Sequence, residues 1–169
     1  EADPGRDQEG ALDDIARRRT LEGVESEKDK EELLQTVNRM LEKDPDNKTL
    51  LSDKIHVASE VAPRQAVTAC EKLLREDPRN YFALCHCAIS YIRLKKHDRA
   101  FNYAVRAAEV KDTAYVRNII ALVYYSRGKL SQARFNYEKA LELDPDNERA
   151  KEGLEKIRKL LSQNQDSRE

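Results

Sequence analysis

Glycine and proline are scarce in this chain of 169 residues, at five each. Sheets joined by tight Gly-rich turns need more of both, so the shortage speaks against a strand-rich fold. No apolar run approaches the roughly 20 residues of a membrane-crossing helix. The segment from Glu1 to Gly10 is acidic and polar, unlike an intact secretory leader. An initiator Met is missing too, and the chain reads as a fragment or a processed form. Charge of one sign is also lacking: 31 Lys and Arg stand against 32 Asp and Glu, a formal net charge of −1. No whole-molecule field draws such a chain to nucleic acid or to an anionic membrane. Cysteine is limited to Cys70, Cys85 and Cys87, an odd number in partly apolar helical stretches. A reducing compartment, the cytoplasm or alternatively the nucleus, is the simplest home for such thiols.

What remains is 37% charged and 39% hydrophobic, the mixture of a soluble helical protein with hydrated outer faces. Its punctuation repeats. Asp44-Pro45-Asp46-Asn47 recurs as Asp77-Pro78-Arg79-Asn80 and as Asp144-Pro145-Asp146-Asn147. The first two prolines lie 33 residues apart and the last two 67, which is two periods with one proline missing. At the expected place the chain reads Val110-Lys111-Asp112-Thr113. Each Asp-Pro follows an amphipathic stretch that proline cannot continue, and the Asn that comes next suits a helix N-cap. Period and punctuation together predict stacked helix pairs.

Between these marks the chain resembles the tetratricopeptide repeat (TPR). Residues 114–147 carry Ile120, Ala121 and Tyr124 in the first helix, Gly128 in the turn, and Ala133, Tyr137, Ala140 and Pro145 around the second. Arg117 departs from the pattern, which favours a large apolar residue there. Residues 81–113 follow with Leu84, Cys87, Ala88, Tyr91, Ala100, Ala104 and Ala107, one residue short and without the closing proline. Residues 48–80 match less fully, through Leu51, Ile55, Ala58, Ala66, Cys70 and Pro78. Lys54 replaces an apolar residue, and Pro63 opens the second helix, where its missing N–H is harmless. The resemblance implies an all-α fold, a short right-handed α-solenoid of antiparallel helix pairs.

Around the repeats, residues 28–43 read as a helix with Leu33, Leu34, Val37, Met40 and Leu41 on its buried face. Residues 148–163 read as a capping helix whose apolar stripe is Ala150, Leu154, Ile157 and Leu161, its Lys and Arg merely solubilising. The helical domain is thus expected over 28–163. Residues 1–27 are expected to be flexible or partly helical, with Leu12, Ile15, Ala16, Leu21 and Val24 on one face. Residues 164–169 read as a frayed tail.

The chain offers little to catalysis. His56, His86 and His97 fall in no Ser-His-Asp or Cys-His arrangement, and no Gly-rich phosphate loop is present. Cys85-His86-Cys87 cannot close on one metal ion, because successive helical residues diverge by about 100°. Arg17-Arg18-Arg19 reads as a solvated face offset by Asp13 and Asp14. No enzyme activity, cofactor or metal is expected.

The resemblance implies a concave groove lined by the first helices of the repeats, where TPR proteins hold a partner's peptide or helix. Carried across residue by residue, it places Phe82, Cys85, His86, Ile89, Ile92 and Arg93 on the inner face of the second repeat. Tyr115, Asn118, Ile119, Leu122 and Tyr125 follow in the third, and Thr49, Ser52, His56 and Ser59 in the first. TPR co-chaperones grip an acidic C-terminal tail with a clamp of Lys, Asn and Arg. The matching positions here read Ser52, His56, His86, Tyr115 and Ile119, which lack the basic donors. The expected partner is therefore another protein presenting apolar side chains, with Phe82, Tyr115 and Tyr125 as anchors. Three alternatives stay open: a chaperone-like holder, self-association or a homodimer with the groove filled by the N-terminal segment, and an RNA-binding repeat. The near-zero charge argues against the last.

Overall fold

The computed structural model describes residues 26–166, with side chains to Gln163. The apolar face at Leu12–Val24 and the Arg17–Arg19 run lie outside the described residues. Eight helices follow in order: α1 (Glu27–Lys43), α2 (Lys48–Val61), α3 (Pro63–Glu76), α4 (Tyr81–Arg93), α5 (His97–Val110), α6 (Ala114–Ser126), α7 (Leu130–Leu143) and α8 (Glu148–Asp166). No strand occurs among the described residues.

Local chemistry sets the boundaries. Ser26 and Asp29 form a reciprocal capping box at the start of α1. Asn47 and Asn80 accept the Leu50 and Ala83 N–H groups at 3.1 and 3.0 Å, capping α2 and α4. Where the proline is missing, Thr113 takes over: its hydroxyl accepts the Val116 N–H at 3.2 Å and caps α6. The same hydroxyl lies 2.6 Å from the Tyr81 hydroxyl, so the start of α4 is tied to the cap of α6. Asn147 caps α8 by accepting the Ala150 N–H at 3.0 Å.

Two turns need a left-handed residue. Gly128 has φ 70° between α6 and α7, and Lys95 has φ 58° at the equivalent turn between α4 and α5. Glycine adopts that geometry freely, whereas a lysine there is strained.

Sequence neighbours pack as antiparallel pairs, α2 with α3, α4 with α5, and α6 with α7. Contacts also run from α2 to α4, from α4 to α6 and from α6 to α8, which lines the first helices up along one side of the stack. The core alternates large and small groups. Ile55, Leu84, Val116 and Val123 fill space beside Ala58, Ala66, Ala88, Ala100 and Ala121, whose small side chains let helices approach. Each fully buried aliphatic side chain is worth about 1.5–3 kcal/mol. Tyr91, also buried, donates its hydroxyl to Glu71 Oε1 at 2.8 Å and accepts from Arg99.

Expectations in the first and last helices are corrected. Leu161 is exposed rather than part of the buried stripe of α8, because it lies beyond the reach of α7, while Ala150 and Ile157 are buried. Met40 is half-buried, packed on the edge of the core. The last helix extends to Asp166.

Candidate functional site

The inner helices α4 and α6 meet the last helix α8 around a cavity of about 440 Å³. Helix α4 supplies Ile89, Ile92 and Arg93; α6 supplies Tyr115, Asn118, Ile119, Leu122 and Tyr125. These positions recur at three- and four-residue steps, which is the stripe a helix turns toward one neighbour. Tyr137 closes the base from α7, and Arg149, Glu152, Gly153 and Lys156 form the wall contributed by α8. The surface is predominantly apolar with charge confined to a few side chains, the usual make-up of a recognition site.

Gly153 is what lets α8 come so close. A Cβ built there would lie 2.4 Å from the ring of Tyr137, far inside van der Waals contact. Tyr137 is buried with Ala121, Ala133, Ala140, Ala150 and Ile157, so the ring has little room to withdraw.

One polar wall residue is buried. The Nδ2 of Asn118 donates to Asn147 Oδ1 at 2.7 Å, and the same oxygen accepts the Ala150 N–H. That second bond identifies the Asn147 atom as oxygen and so fixes the orientation of the Asn118 amide. Asn118 Oδ1 is then left without a donor among the described residues. Burial pushes the Tyr115 hydroxyl above the ordinary tyrosine range, the Cys85 thiol adds to this, and the nearby Arg149 opposes it.

Of the eleven inner-face positions expected from the sequence, Ile89, Ile92, Arg93, Tyr115, Asn118, Ile119, Leu122 and Tyr125 line this cavity. Phe82, Cys85 and His86 do not. Cys85 is a correction: it is only 1% exposed and cannot serve as a contact residue. It faces the joint with the next repeat, within reach of the Tyr81 hydroxyl, and burial raises its thiol to about 11.

Phe82 and His86 belong to a separate patch nearer α2. Their rings lie 4.3 Å apart, and His56 meets His86 edge-on at 5.8 Å. The Ser59 hydroxyl donates to the His56 carbonyl, which leaves its oxygen to accept from His86 Nδ1 at 3.4 Å. Desolvation brings the His86 imidazole down to about 4, against a smaller opposing pull from Glu60, so it is neutral at pH 7. Ser59 is buried and unavailable to a ligand.

The α8 wall was not foreseen. Its Arg149, Glu152 and Lys156 read as a solvated face, and the one available signal was Gly153, a glycine inside a helix that marks close approach. On the opposite side of the stack a second cavity, about 450 Å³, is lined by Phe101, Tyr124 and Phe135. Its cation, Arg117, is already held by Asp112 at 2.6 Å. No cluster of His, Cys, Asp or Glu among the described residues could hold a metal ion, and no described helix is long and apolar enough to cross a membrane.

Comparison with known proteins places this architecture. A TPR repeat family model matches residues 121–154. RNA polymerase II-associated protein 3 of Mus musculus is 35% identical over 106 residues, which is 61% of this chain and 16% of that protein. The chain therefore corresponds to a small part of that relative's length. Among solved structures, the first TPR of Spaghetti (RPAP3), bound to the HSP90 peptide SRMEEVD, superposes with a TM-score of 0.62 at 26% identity. That match covers 68% of this chain and 93% of the other. MamA superposes with a TM-score of 0.68 at 19% identity over 86% of this chain and 83% of its own, a likeness of fold. The helix pairs and the small residues that let them cross form an all-α, TPR-like solenoid, and residues 121–154 of this chain are similar to the tetratricopeptide repeat.

Proposed function

We propose that this chain is an adaptor module that binds a segment of another protein in the groove between α4, α6 and α8. The observation that carries the reading is the preformed cavity, of a size that accepts one large side chain. Leu122, 40% exposed at its mouth, and the half-buried Tyr125 supply the apolar contact that such a segment would cover. The peptide held by the related Spaghetti domain supports peptide binding on this kind of scaffold. The clamp positions Ser52, His56, His86, Tyr115 and Ile119 carry no Lys or Arg, so we infer that a terminal carboxylate is not the determinant here.

The test is selection of peptides from a random 12-residue library on the full chain, repeated on Leu122→Asp and Tyr125→Ala. Both variants should lose the selected binders by tenfold or more. Equal binding to all three proteins would place recognition elsewhere and refute the reading.

A further inference from the structure

The cations beside the groove are distributed unevenly over their partners. On α8, Lys151 pairs with Glu148 at 2.8 Å, and Arg158 and Lys159 pair with Glu155 at 2.7 and 3.6 Å. Arg149 and Lys156, the two basic residues of that helix that line the cavity, have no ion pair among the described residues. Glu152 lies between them at helical spacing, yet it pairs with neither. Arg93, across the mouth on α4, spends one N–H on the Glu60 carbonyl and also has no carboxylate partner among the described residues. Three cations thus face one carboxylate around an apolar floor, in a molecule whose net charge is only −1.

We infer that the ligand is an acidic segment carrying one large apolar side chain, its Asp and Glu carboxylates read by Arg93, Arg149 and Lys156. The inference rests on the groove being the peptide site proposed above. The apolar side chain enters among Ile89, Ile119 and Leu122 and supplies most of the affinity. The flanking carboxylates meet cations that hold no competing carboxylate, so no existing ion pair is broken on binding. Charges at a rim govern specificity and association rate more than affinity, so their signature is a strong salt dependence. Because the cations lie on both sides of the mouth, the segment need not end there. An internal stretch of chain serves as well as a C-terminus.

The experiment is selection from a 12-residue library displayed through the peptide C-terminus, which removes every free terminal carboxylate. It is run on the full chain and on Arg149→Glu/Lys156→Glu. Winners are resynthesised with blocked ends and measured by fluorescence anisotropy at two salt concentrations. The wild-type protein should select Asp- and Glu-rich sequences around a Phe, Leu or Ile. The charge-reversed variant should bind those about tenfold more weakly and select Lys- and Arg-rich sequences instead. Melting curves must show that the variant remains folded.

Apolar peptides without acidic residues that bind both proteins alike would overturn this inference and leave the groove reading intact. Binders unaffected by Leu122→Asp would overturn both. So would an absence of binders, including the case where residues 1–25 or a second copy already fill the groove. A 12-nucleotide RNA that displaces the winners at physiological salt would assign the cations to nucleic acid and overturn it as well.

Discussion

Substituting Gly153 by alanine sets two opposing effects against each other. Inside an exposed helix the change would stabilise by about 1 kcal/mol, since alanine loses less backbone freedom than glycine. Here the new methyl would lie 2.4 Å from Tyr137 Cζ and 2.5 Å from Cε2. Relieving the clash requires the ring or the whole of α8 to move by about 1 Å, and the ring is only 6% exposed. Overpacking of that kind costs about 1–3 kcal/mol. The net expectation is a loss of up to about 2 kcal/mol, or about 2–4 °C in Tm for each kcal/mol in a chain of this size. The double substitution with Tyr137→Leu removes the ring the methyl meets. In that background Gly153→Ala should become neutral or stabilising, a coupling of about 2 kcal/mol between the two positions. Urea and thermal unfolding followed by circular dichroism give all four corners of the cycle. A stabilising Gly153→Ala in the wild-type background would refute the argument that α8 is held against Tyr137 by the missing side chain.

Other expectations follow from the turns, the linker and the histidine patch. Lys95→Gly should stabilise by about 0.5–1 kcal/mol by relieving left-handed strain, and Gly128→Ala should destabilise by about 1 kcal/mol although its Cβ would meet nothing within 4 Å; melting curves decide both. Thr113→Val removes both the α6 cap and the tie to Tyr81, and should cost about 1–2 kcal/mol in urea unfolding. The imidazole of His86 has a folded pKa near 4, below its ordinary value of 6.5, so the unfolded chain takes up the proton first. Its contribution is fully present above pH 6.5 and is lost as pH falls toward 4, by up to about 3 kcal/mol. His86→Leu should flatten the stability profile in that window, and an unchanged slope would show that the imidazole is not desolvated as described. Asp29, Asp46 and Glu155, held below the usual carboxylate range by their partners, act only at lower pH, Glu155 near 2.

Much of the scaffold could be read in the chain because a few residues leave no alternative. Pro45, Pro78 and Pro145 end helices by covalent geometry, Asn47 and Asn80 cap the next ones, and Gly128 takes a φ that other residues avoid. The small residues at Ala58, Ala88 and Ala121 mark helix crossings for a similar reason: nothing larger fits. The site was harder. Cys85 was assigned to the inner face, yet α4 is flanked by α2 and α6, and the strip left open is narrower than the side facing away from its own partner helix. The wall made by α8 was missed because a two-sided reading, apolar stripe against solvated face, leaves no category for residues at the edge. Arg149, Glu152 and Lys156 occupy that edge, and whether an edge meets a neighbour depends on the angle at which helices cross, which periodicity does not encode.

The missing proline has a mechanical meaning. The links leading into α2, α4 and α8 each contain a proline whose φ is fixed, whereas Lys111, Asp112 and Thr113 leave the link into α6 with none. Considered as a jointed rod, the stack has stiff hinges at three positions and one compliant hinge, latched by the hydroxyl pair of Tyr81 and Thr113. That hinge joins α5 to α6, and its latch ties the start of α4 to the cap of α6, the two helices that carry the floor of the groove. The gape of the groove is thereby geared to a single side-chain latch. Releasing it with Thr113→Val should speed amide exchange at the start of α6 and change the width of the groove before it unfolds the stack.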